Sequence, residues 1–387
     1  MLQKLFSSYQ MRGLRLDNRI VVSPMCQYAS VDGNASDWHI SHLGNFAMSG
    51  AGLVITEATA VEPRGRISPM CLGLYSDENQ AALSRIVEFC RKYGTSKLGI
   101  QLAHAGRKGS VSPSYEPRRV LKPEEGGWKT VSSSPIDDGY YAVPEALDRK
   151  GIDRCIRDWV DATSRAARLG FDLIELHFAH GYLVNQFMSP LINTRSDEYG
   201  GSRPCRMRFA LEIFEACRAA WPADKPMGIR ISAKDWLPGG WDVDDSVAFA
   251  MDVKKLGCDY ICASSGGVLS RKQQITSGPN YQVPFAQAIR QGAGMPSMAV
   301  GQITEPQQAE EILESGRADL IAIARRMLYN PRWVWHAAAE AGIHIVYPSR
   351  YRSCHPLIGP ALQRPETDEA TAALERLAEA DHRGAAG

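Results

Sequence analysis

The feature that most constrains the fold is a series of eight short apolar segments spread along the chain. They are rich in Val, Ile and Leu and are continuously apolar, not alternating, as expected of parallel strands buried on both faces. The segments predict strands at 19–23, 52–58, 97–103, 171–177, 226–232, 258–264, 296–301 and 318–324.

Stretches with helical spacing of apolar residues lie between these segments. The clearest is 152–169, with Asp153 near its beginning, where a carboxylate suits the helix dipole, and Gly170 just past its end. Strand–helix alternation repeated eight times predicts an α/β protein with a (β/α)₈ TIM barrel, and a doubly wound parallel sheet is the alternative. The other helices are predicted at 79–92, 204–220, 244–256, 282–292, 305–315 and 331–341, with Glu305-Pro306 and Asn330-Pro331 as helix starts.

The chain is longer than a barrel requires, since it has 387 residues and a barrel needs about 250. Residues 104–150, rich in Pro, Gly, Ser and Tyr, are predicted to form a long loop or lid after the third strand. A single barrel domain then covers 1–345. Residues 346–387 form a C-terminal extension and a candidate subunit interface, whose end (361–387) is expected to be a fraying helix or disordered.

Charge and cysteine content narrow the class of protein. Lys and Arg number 44 and Asp and Glu 43, so no charge excess favours nucleic acid or a strongly basic partner. No apolar run reaches the roughly 18 residues of a membrane helix, and the start lacks the apolar stretch of a secretory signal. The nine scattered Cys favour free thiols. We expect a cytoplasmic protein without nucleic-acid or membrane partners.

Barrel enzymes carry their chemistry at the carboxyl ends of the strands. Polar, titratable or glycine residues gather at or just after the ends of the predicted strands, which makes them candidate site residues: Ser23, Pro24, Met25, Cys26 and Tyr28, then Ala58, Gln101, His177, His180, Tyr182, Arg230, Gly301, Ala324 and Arg325. After the last two strands, Gly301 would let the backbone approach a phosphate and Arg325 would add a forked cation. The alternative is a turn glycine and a solvated arginine.

His177 and His180 form an H-x-x-H pair. Such a pair can bind a metal, but no third ligand follows at a fixed spacing. The interpretation that we prefer is two neutral imidazoles that donate hydrogen bonds to a substrate oxygen, with Tyr182 supplying a proton. Two purely structural histidines are the alternative. Cys26 could be a nucleophile, a tuning group or filler, because the sequence does not show the pKa of its thiol.

Six stretches carry a family resemblance, in order from residue 18 to 331: NRIVVSPMCQY, GLVITEATAVEPRGRIS, LGIQLAHAGRKGS, GFDLIELHFAHGYLVNQFMSPLINTRSDEYGGS, GIRISAKDW and DLIAIARRMLYNP. On these, the sequence resembles the Old Yellow Enzyme family of flavin-dependent ene-reductases, in its bacterial branch marked by SPMCQY. A dinucleotide fingerprint is absent, because the cluster Ser49-Gly50-Ala51-Gly52 precedes a predicted strand instead of following one.

The resemblance implies a (β/α)₈ barrel that holds FMN non-covalently. Ser23, Pro24, Met25 and Cys26 would edge the isoalloxazine, with Cys26 tuning its potential, and Arg230 would stabilise the reduced flavin. Further implied contacts are Ala58 and Gln101 with the flavin ring, Gly301, Ala324 and Arg325 with the phosphate, His177 and His180 with a substrate carbonyl or nitro oxygen, Tyr28 with the pocket, and Tyr182 as proton donor.

The implied reaction is hydride transfer from NADPH or NADH to the flavin and then to an activated alkene, in a homo-oligomer that is a dimer or tetramer. Ala324 departs from the family, where Gly often precedes the phosphate arginine. Tyr351 and Arg352 are candidates to reach a neighbouring subunit's site. Two alternatives are a metal-dependent barrel lyase or hydrolase that uses His177 and His180 as ligands, and a flavin redox sensor based on Cys26.

Overall fold

The structure, a computed structural model, describes residues 2–269 and 275–356. Within them, eight parallel strands close into a barrel, with β8 pairing back onto β1. The predicted (β/α)₈ barrel is therefore confirmed, and the doubly wound sheet is excluded because that sheet has open edges. The strands are β1 Ile20–Val22, β2 Leu53–Ala60, β3 Lys97–Ala103, β4 Leu173–Phe178, β5 Met227–Ser232, β6 Tyr260–Ser264, β7 Ser297–Val300 and β8 Leu320–Ile323.

Helices surround the barrel. Three of them were not predicted, namely α1, α4 and α9 in the list below. The buried face of α1 includes His39 and Gly44, which a search for apolar periodicity does not count. The helices are α1 Asp37–Ala47, α2 Asp77–Tyr93, α3 Arg149–Leu169, α4 Leu183–Met188, α5 Arg203–Ala220, α6 Val243–Lys255, α7 Val283–Ala293, α8 Pro306–Glu314, α9 Arg325–Tyr329 and α10 Trp333–Glu340.

Helix α3 begins three residues earlier than predicted. Asp148 caps it, because its carboxylate accepts a hydrogen bond of 2.7 Å from the Gly151 N–H. Asp153, which the prediction placed near the start, instead pairs with Arg149 at 3.0 Å, one turn further along. The lid segment therefore ends at residue 148 and not at 150. The predicted end is correct, since Gly170 closes the helix in a left-handed conformation.

The starts of the last helices were predicted with mixed success. Helix α8 begins at Pro306 behind Glu305, as predicted. Helix α10 begins only at Trp333, because Asn330 and Pro331 form the turn before it, where the Asn330 side chain accepts a hydrogen bond from the Arg332 N–H at 3.1 Å.

The barrel interior is closed at its amino-terminal end by a hairpin of two short strands, Tyr9–Met11 and Leu14–Leu16. Its side chains pack against the first inward-facing residues of the barrel strands, as expected for a filled barrel core. We call this cluster the apolar plug and define it as Met11, Leu14, Leu16, Val21, Leu53, Leu173, Met298 and Leu320. The alternate residues of the same strands face outward against the helices.

The lid segment after β3 contains two short 3₁₀ turns, Gly106–Lys108 and Pro123–Glu125, and a small parallel pair, Val131–Ser132 with Glu145–Ala146. Residues 346–356 pack near α10, where the Trp335 ring lies 4.2 Å from that of Tyr347 and 6.0 Å from that of Tyr351. The expectation for 361–387 falls outside the described residues. Within the described ranges, no helix has the length and apolar character needed to cross a membrane.

Candidate active site

Strand register assembles the predicted site residues at the carboxyl end of the barrel. His177 on β4 and Arg230 on β5 are register partners, so their side chains lie side by side facing the interior. Ala58 and Gln101 are likewise partners on β2 and β3. The register of that pair shifts between Ile55 and Ala58, a bulge of the kind that re-aims side chains next to active sites.

Arg230 is the buried cation of the site, with 9% of its surface exposed. Its Nη1 donates to Ser23 Oγ at 2.8 Å, which links β5 to the end of β1. Its Nε has no hydrogen-bond partner among the described residues. Leaving a buried charged donor unpaired is costly. The guanidinium therefore fits a ligand that presents acceptor atoms or negative charge at this point, as the pyrimidine side of FMN does.

The two histidines lie edge to face, with ring centroids 4.9 Å apart. His177 Nδ1 accepts the Ala179 N–H at 3.2 Å, so in the neutral ring the proton is on Nε2. That Nε2 lies 3.2 Å from His180 Nδ1, and His180 Nε2 lies 2.7 Å from Ser264 Oγ. When the Ser264 hydroxyl donates to His180, the proton of His180 moves to Nδ1. A ligand oxygen placed between the rings could then accept an N–H from each, whereas without a ligand the His177 Nε2–H donates to an unprotonated His180 Nδ1.

Charge and burial keep this pair neutral. The pKa of His177 is lowered well below its ordinary value by burial and then by Arg230 and Lys108. The pKa of His180 is lowered by burial and then by His177, Arg230 and Lys108. At neutral pH both rings are therefore hydrogen-bond donors without charge.

The backbone of His180 is held in a left-handed conformation with φ of 60°, which is uncommon for a residue other than glycine. Its N–H donates to Ser232 Oγ at 2.8 Å, and its carbonyl accepts from Lys108 Nζ at 2.7 Å. Lys108 Nζ also donates to the Gly267 carbonyl at 3.1 Å. A Cβ on Gly267 would lie 2.6 Å from the His180 carbonyl carbon, so the two loops need glycine there to meet.

Tyr182 follows the pair and lies edge to face with His177, at a centroid distance of 5.0 Å. The pKa of its phenol is raised well above the ordinary value by burial and then by Cys26 and Tyr28. The hydroxyl therefore carries its proton at neutral pH, as a proton donor must.

Cys26 and Tyr28, in the loop after β1, pack against the same apolar cluster as Tyr182. The pKa of the Cys26 thiol is raised well above its ordinary value by burial and then by Cys71 and Glu57. A thiol that keeps its proton is a poor nucleophile. The loop is held by Glu57 in the β2 bulge, whose Oε2 accepts the Gln27 N–H at 3.1 Å. Pro24 and Met25 precede Cys26 and are half-buried.

The predicted phosphate residues follow neighbouring strands. Gly301 comes directly after β7 with φ of 116°, and Ala324 and Arg325 come directly after β8. A Cβ on Gly301 would lie 2.7 Å from Gln282 Nε2 and 2.9 Å from the Tyr281 ring, so glycine is required for this backbone path. The Ala324 backbone has a negative φ of −108°, so a glycine is not needed at that position.

Sequence reasoning missed several residues of the site. Lys108 lies within the lid segment, and Ser264 and Gln282 were not assigned a role. Gln282 is buried, donates to the Val300 carbonyl at 3.0 Å and accepts from Ser265 Oγ at 2.7 Å. The signal for Ser264 was present, because it ends a barrel strand. Nothing in the sequence indicates that Lys108, in a loop, donates hydrogen bonds to the carbonyls of His180 and Gly267.

Tyr351 lies away from this chain's own site, so its reach, and that of Arg352, into a neighbouring subunit's site stays a prediction. Tyr351 lies beside Trp335 and Arg332, and the neighbouring Arg350 lies over the Tyr93 ring, at the end of α2 that leads into the start of β3. These residues therefore sit at the amino-terminal end of their own barrel. For the metal alternative, residues 2–269 and 275–356 contain no group of three or more His, Cys, Asp or Glu side chains arranged to hold an ion.

The fold and site together define a class. A closed (β/α)₈ barrel has a buried guanidinium whose Nε lacks a partner among the described residues, a glycine and an arginine after its last two strands, and two neutral imidazoles beside a tyrosine. This combination suits a barrel oxidoreductase that binds a flavin mononucleotide.

Comparison with known proteins defines the family. The model of the NADH:flavin oxidoreductase / NADH oxidase family matches residues 4–342. The chain belongs to this family, the Old Yellow Enzyme family, and the resemblance found in the sequence is confirmed. It is thus an FMN-dependent oxidoreductase whose hydride donor is a reduced nicotinamide dinucleotide.

Relatives match over nearly their whole length. The chain is 43% identical over 349 residues to NADPH dehydrogenase of Geobacillus thermodenitrificans, covering 90% of this chain and 97% of that one. It is 44% identical over 350 residues to NADPH dehydrogenase of Halalkalibacterium halodurans, covering 90% and 98%. In fold it is similar to morphinone reductase, with a TM-score of 0.73 and 24% identity over 90% of this chain and 92% of that one.

Proposed function

We propose that the protein is an NADPH-dependent ene-reductase that reduces the carbon–carbon double bond of α,β-unsaturated carbonyl or nitro compounds. The observation that carries this proposal is the pair His177 and His180, two neutral imidazoles 3.2 Å apart with Tyr182 against them. Two converging neutral donors suit an uncharged oxygen that gains negative charge during reaction. A protonated tyrosine suits the carbon that must then receive a proton.

The residues that would hold FMN lie around the barrel mouth. Ser23, Pro24, Met25 and Cys26 would edge the ring, and Ala58 and Gln101 would contact it, with the Gln101 amide at its pyrimidine edge. Arg230 would meet its pyrimidine side, and Gly301, Ala324 and Arg325 would hold its phosphate. When bound, FMN carries hydride from the nicotinamide to the alkene.

The chain's own residues activate the alkene by polarising its oxygen. His177 Nε2–H and His180 Nδ1–H would both donate to the carbonyl or nitro oxygen, which draws electron density from the β-carbon and makes it electrophilic. This arrangement uses the His180 tautomer in which Ser264 donates to Nε2, and rotation of one hydroxyl selects it. Tyr28, which packs against the same apolar cluster as Tyr182, would help to bind the substrate.

Tyr182 would complete the reaction by donating its phenolic proton to the α-carbon. Its raised pKa ensures that the proton is present at neutral pH. Once the proton is given up, the protonated form of Lys108, whose Nζ lies 5.2 Å from the ring centroid, would favour the phenolate that remains, and this form is lost as the pH rises above the lysine pKa of about 7.

We propose a ping-pong order, in which the nicotinamide and the alkene bind in turn at the same residues. The lack of a dinucleotide fingerprint after a predicted strand supports this order. The redox-sensor alternative is less favoured, because the raised pKa of Cys26 keeps the thiolate scarce.

An anaerobic titration watched by visible absorbance tests the proposal. NADPH should bleach the yellow protein, and 2-cyclohexenone should restore the colour at one equivalent. Cyclohexanone, which has the oxygen but lacks the double bond, is the matched control and should leave the protein bleached. A protein that bleaches and stays bleached with enones and nitroalkenes would contradict ene-reduction while leaving the flavin assignment intact.

A further inference from the structure

A buried carboxylate, Glu175, lies in the middle of β4 and has no place in the proposed mechanism. Its side chain faces the barrel interior and its surface is 0% exposed. A fully buried Glu is rare unless its oxygens are paired. Both oxygens are paired here, with Gln101 Nε2 donating to Oε1 at 2.7 Å and the Tyr260 hydroxyl donating to Oε2 at 3.0 Å.

Strand register builds this arrangement across four neighbouring strands. Gln101 on β3 pairs with Glu175, Glu175 pairs with Gly228 on β5, and Gly228 pairs with Tyr260 on β6. A Cβ on Gly228 would lie 2.1 Å from the Tyr260 ring. The missing side chain is therefore what allows the Tyr260 ring to cross β5 and reach Glu175. We call these four residues the carboxylate row.

Within the carboxylate row, Glu175 and Gly228 lie directly below two residues of the proposed site, His177 and Arg230. His177 and Arg230 are each two residues further along their strands than Glu175 and Gly228, which places them one inward-facing layer higher. Burial raises the pKa of the Glu175 carboxyl. The positive charge of Arg230 is the largest effect in the opposite direction and favours the ionised form. Two donated hydrogen bonds act in the same direction as Arg230.

We propose that Glu175 is a positioning residue for Gln101 and a buried negative charge that lowers the reduction potential of bound FMN. The inference rests on the FMN assignment and is independent of ene-reduction. One Nε2 proton of Gln101 is committed to Glu175. The amide oxygen and the second proton are thereby fixed for a ligand with one donor and one acceptor side by side, as on the flavin pyrimidine edge.

The electrostatic part follows from the position of Arg230. Reduction adds negative charge to the flavin, and the Arg230 cation stabilises it. A second negative charge below Arg230 offsets part of that stabilisation, and the dry interior screens it weakly. Removing the charge should therefore favour the reduced flavin, whereas removing only a hydrogen bond should not.

The test compares E175Q with Y260F in the FMN-loaded protein, without any alkene. E175Q keeps the shape and the capacity to accept from Gln101 but removes the charge. We expect the ratio of the dissociation constants of oxidised and reduced FMN to rise about tenfold, which for a two-electron couple is about 30 mV in midpoint potential. Y260F keeps the charge and should change the ratio less than twofold at pH 8. On the free-energy scale this is less than about a third of the change expected for E175Q.

The midpoint potential, measured by dye-coupled reduction, decides the outcome. A folded, FMN-loaded E175Q with the wild-type potential would overturn the electrostatic role, and an equal shift in Y260F would assign the effect to packing. Should E175Q not fold, Y260F carries the test through pH. With one hydrogen bond lost, Glu175 becomes easier to protonate, so the potential of Y260F relative to that of wild type should rise as the pH is lowered. A difference between the two potentials that stays constant with pH would overturn the proposal.

The outcome is separable from that of the proposed function. A wild-type protein that binds FMN but reduces no alkene leaves the potentials of E175Q and Y260F fully measurable. A wild-type protein that binds no FMN at all would remove both proposals together.

Discussion

The amino-terminal and carboxyl-terminal halves of the barrel interior are built from the same strands. The lower, amino-terminal half is apolar, whereas the upper, carboxyl-terminal half contains charged and polar side chains. On β4, Leu173 belongs to the apolar plug, Glu175 lies two residues further on, and His177 two further still. One inward step along a strand is about 6–7 Å. Within two steps the interior changes from hydrocarbon to a paired carboxylate and then to an imidazole that is proposed to bind substrate.

Residues that stabilise the fold and residues that are proposed to carry the chemistry are therefore separated by their depth in the barrel, and not by the strand on which they lie. The plug is apolar and closed by the amino-terminal hairpin, so it contributes through burial. The upper half contains charges and amides that are paired with one another, and it leaves Arg230 Nε without a partner among the described residues. Substitutions in the plug should therefore change stability and not chemistry, whereas substitutions of the residues proposed to contact substrate should act first on chemistry.

Leu173→Ala should have the largest effect and should be confined to stability. Loss of a buried leucine from a packed core should lower the free energy of unfolding by about 3 kcal/mol. Urea unfolding measures it, with exposed Leu328 as the matched site, where Leu328→Ala should cost less than about 0.5 kcal/mol. A changed rate of flavin reduction in Leu173→Ala would break the separation between the two halves.

Tyr182→Phe should have the next largest effect and should be confined to one half-reaction. Loss of the proton donor should slow alkene reduction about 100-fold, while flavin reduction by NADPH keeps its rate. Stopped-flow absorbance separates the two steps, and Tyr329→Phe on the surface is the control. If both half-reactions slow equally, Tyr182 acts on the cofactor and not as the donor.

His177→Ala should weaken binding of a phenol, because a phenol places an oxygen where the enone oxygen would lie. Loss of one hydrogen bond to a charged oxygen costs about 2 kcal/mol, or about 30-fold in the dissociation constant. Titration of the FMN-loaded protein with 4-chlorophenol measures it. His344→Ala, an exposed histidine outside the site, should leave the affinity unchanged. Unchanged affinity in His177→Ala would remove that residue from the oxygen site.

The last prediction is that protein stability depends on pH through the lowered pKa of Lys108. Burial, and then Arg118 and Arg107, lower the pKa of Lys108 from 10.5 to about 7. Between pH 7 and 10.5 the unfolded chain holds a proton that the folded protein lacks, so folding becomes more favourable as pH rises through this window. The difference in melting temperature between wild type and Lys108→Met should therefore grow in favour of wild type from pH 7 to pH 9. A constant difference would show that Lys108 stays charged.

Much of the fold could be predicted because continuous apolar runs mark buried parallel strands. The predicted segment 97–103 matches β3, Lys97–Ala103, at both ends. Site residues at strand ends, such as Ser23 and Arg230, could be chosen because a closed barrel brings all those ends to one face. The register then places His177 beside Arg230 without further information.

The rest could not be predicted because it depends on groups that meet across loops and layers. Lys108 reaches the carbonyl of His180 from the lid segment, and no periodicity marks such a contact. Glu175 did leave a signal, since a carboxylate in the middle of the apolar run FDLIELH demands a buried partner. Which partner it has follows only from the register that places Gln101 beside it.

The most direct test of the account is a crystal structure of the FMN-loaded protein with 4-chlorophenol bound. The account predicts that the phenol oxygen lies about 3 Å from both His177 Nε2 and His180 Nδ1, above the flavin and beside the Tyr182 hydroxyl. A phenol oxygen held by Lys108 or Arg230, with the two imidazoles still bonded to each other, would contradict the assignment of the upper half of the barrel.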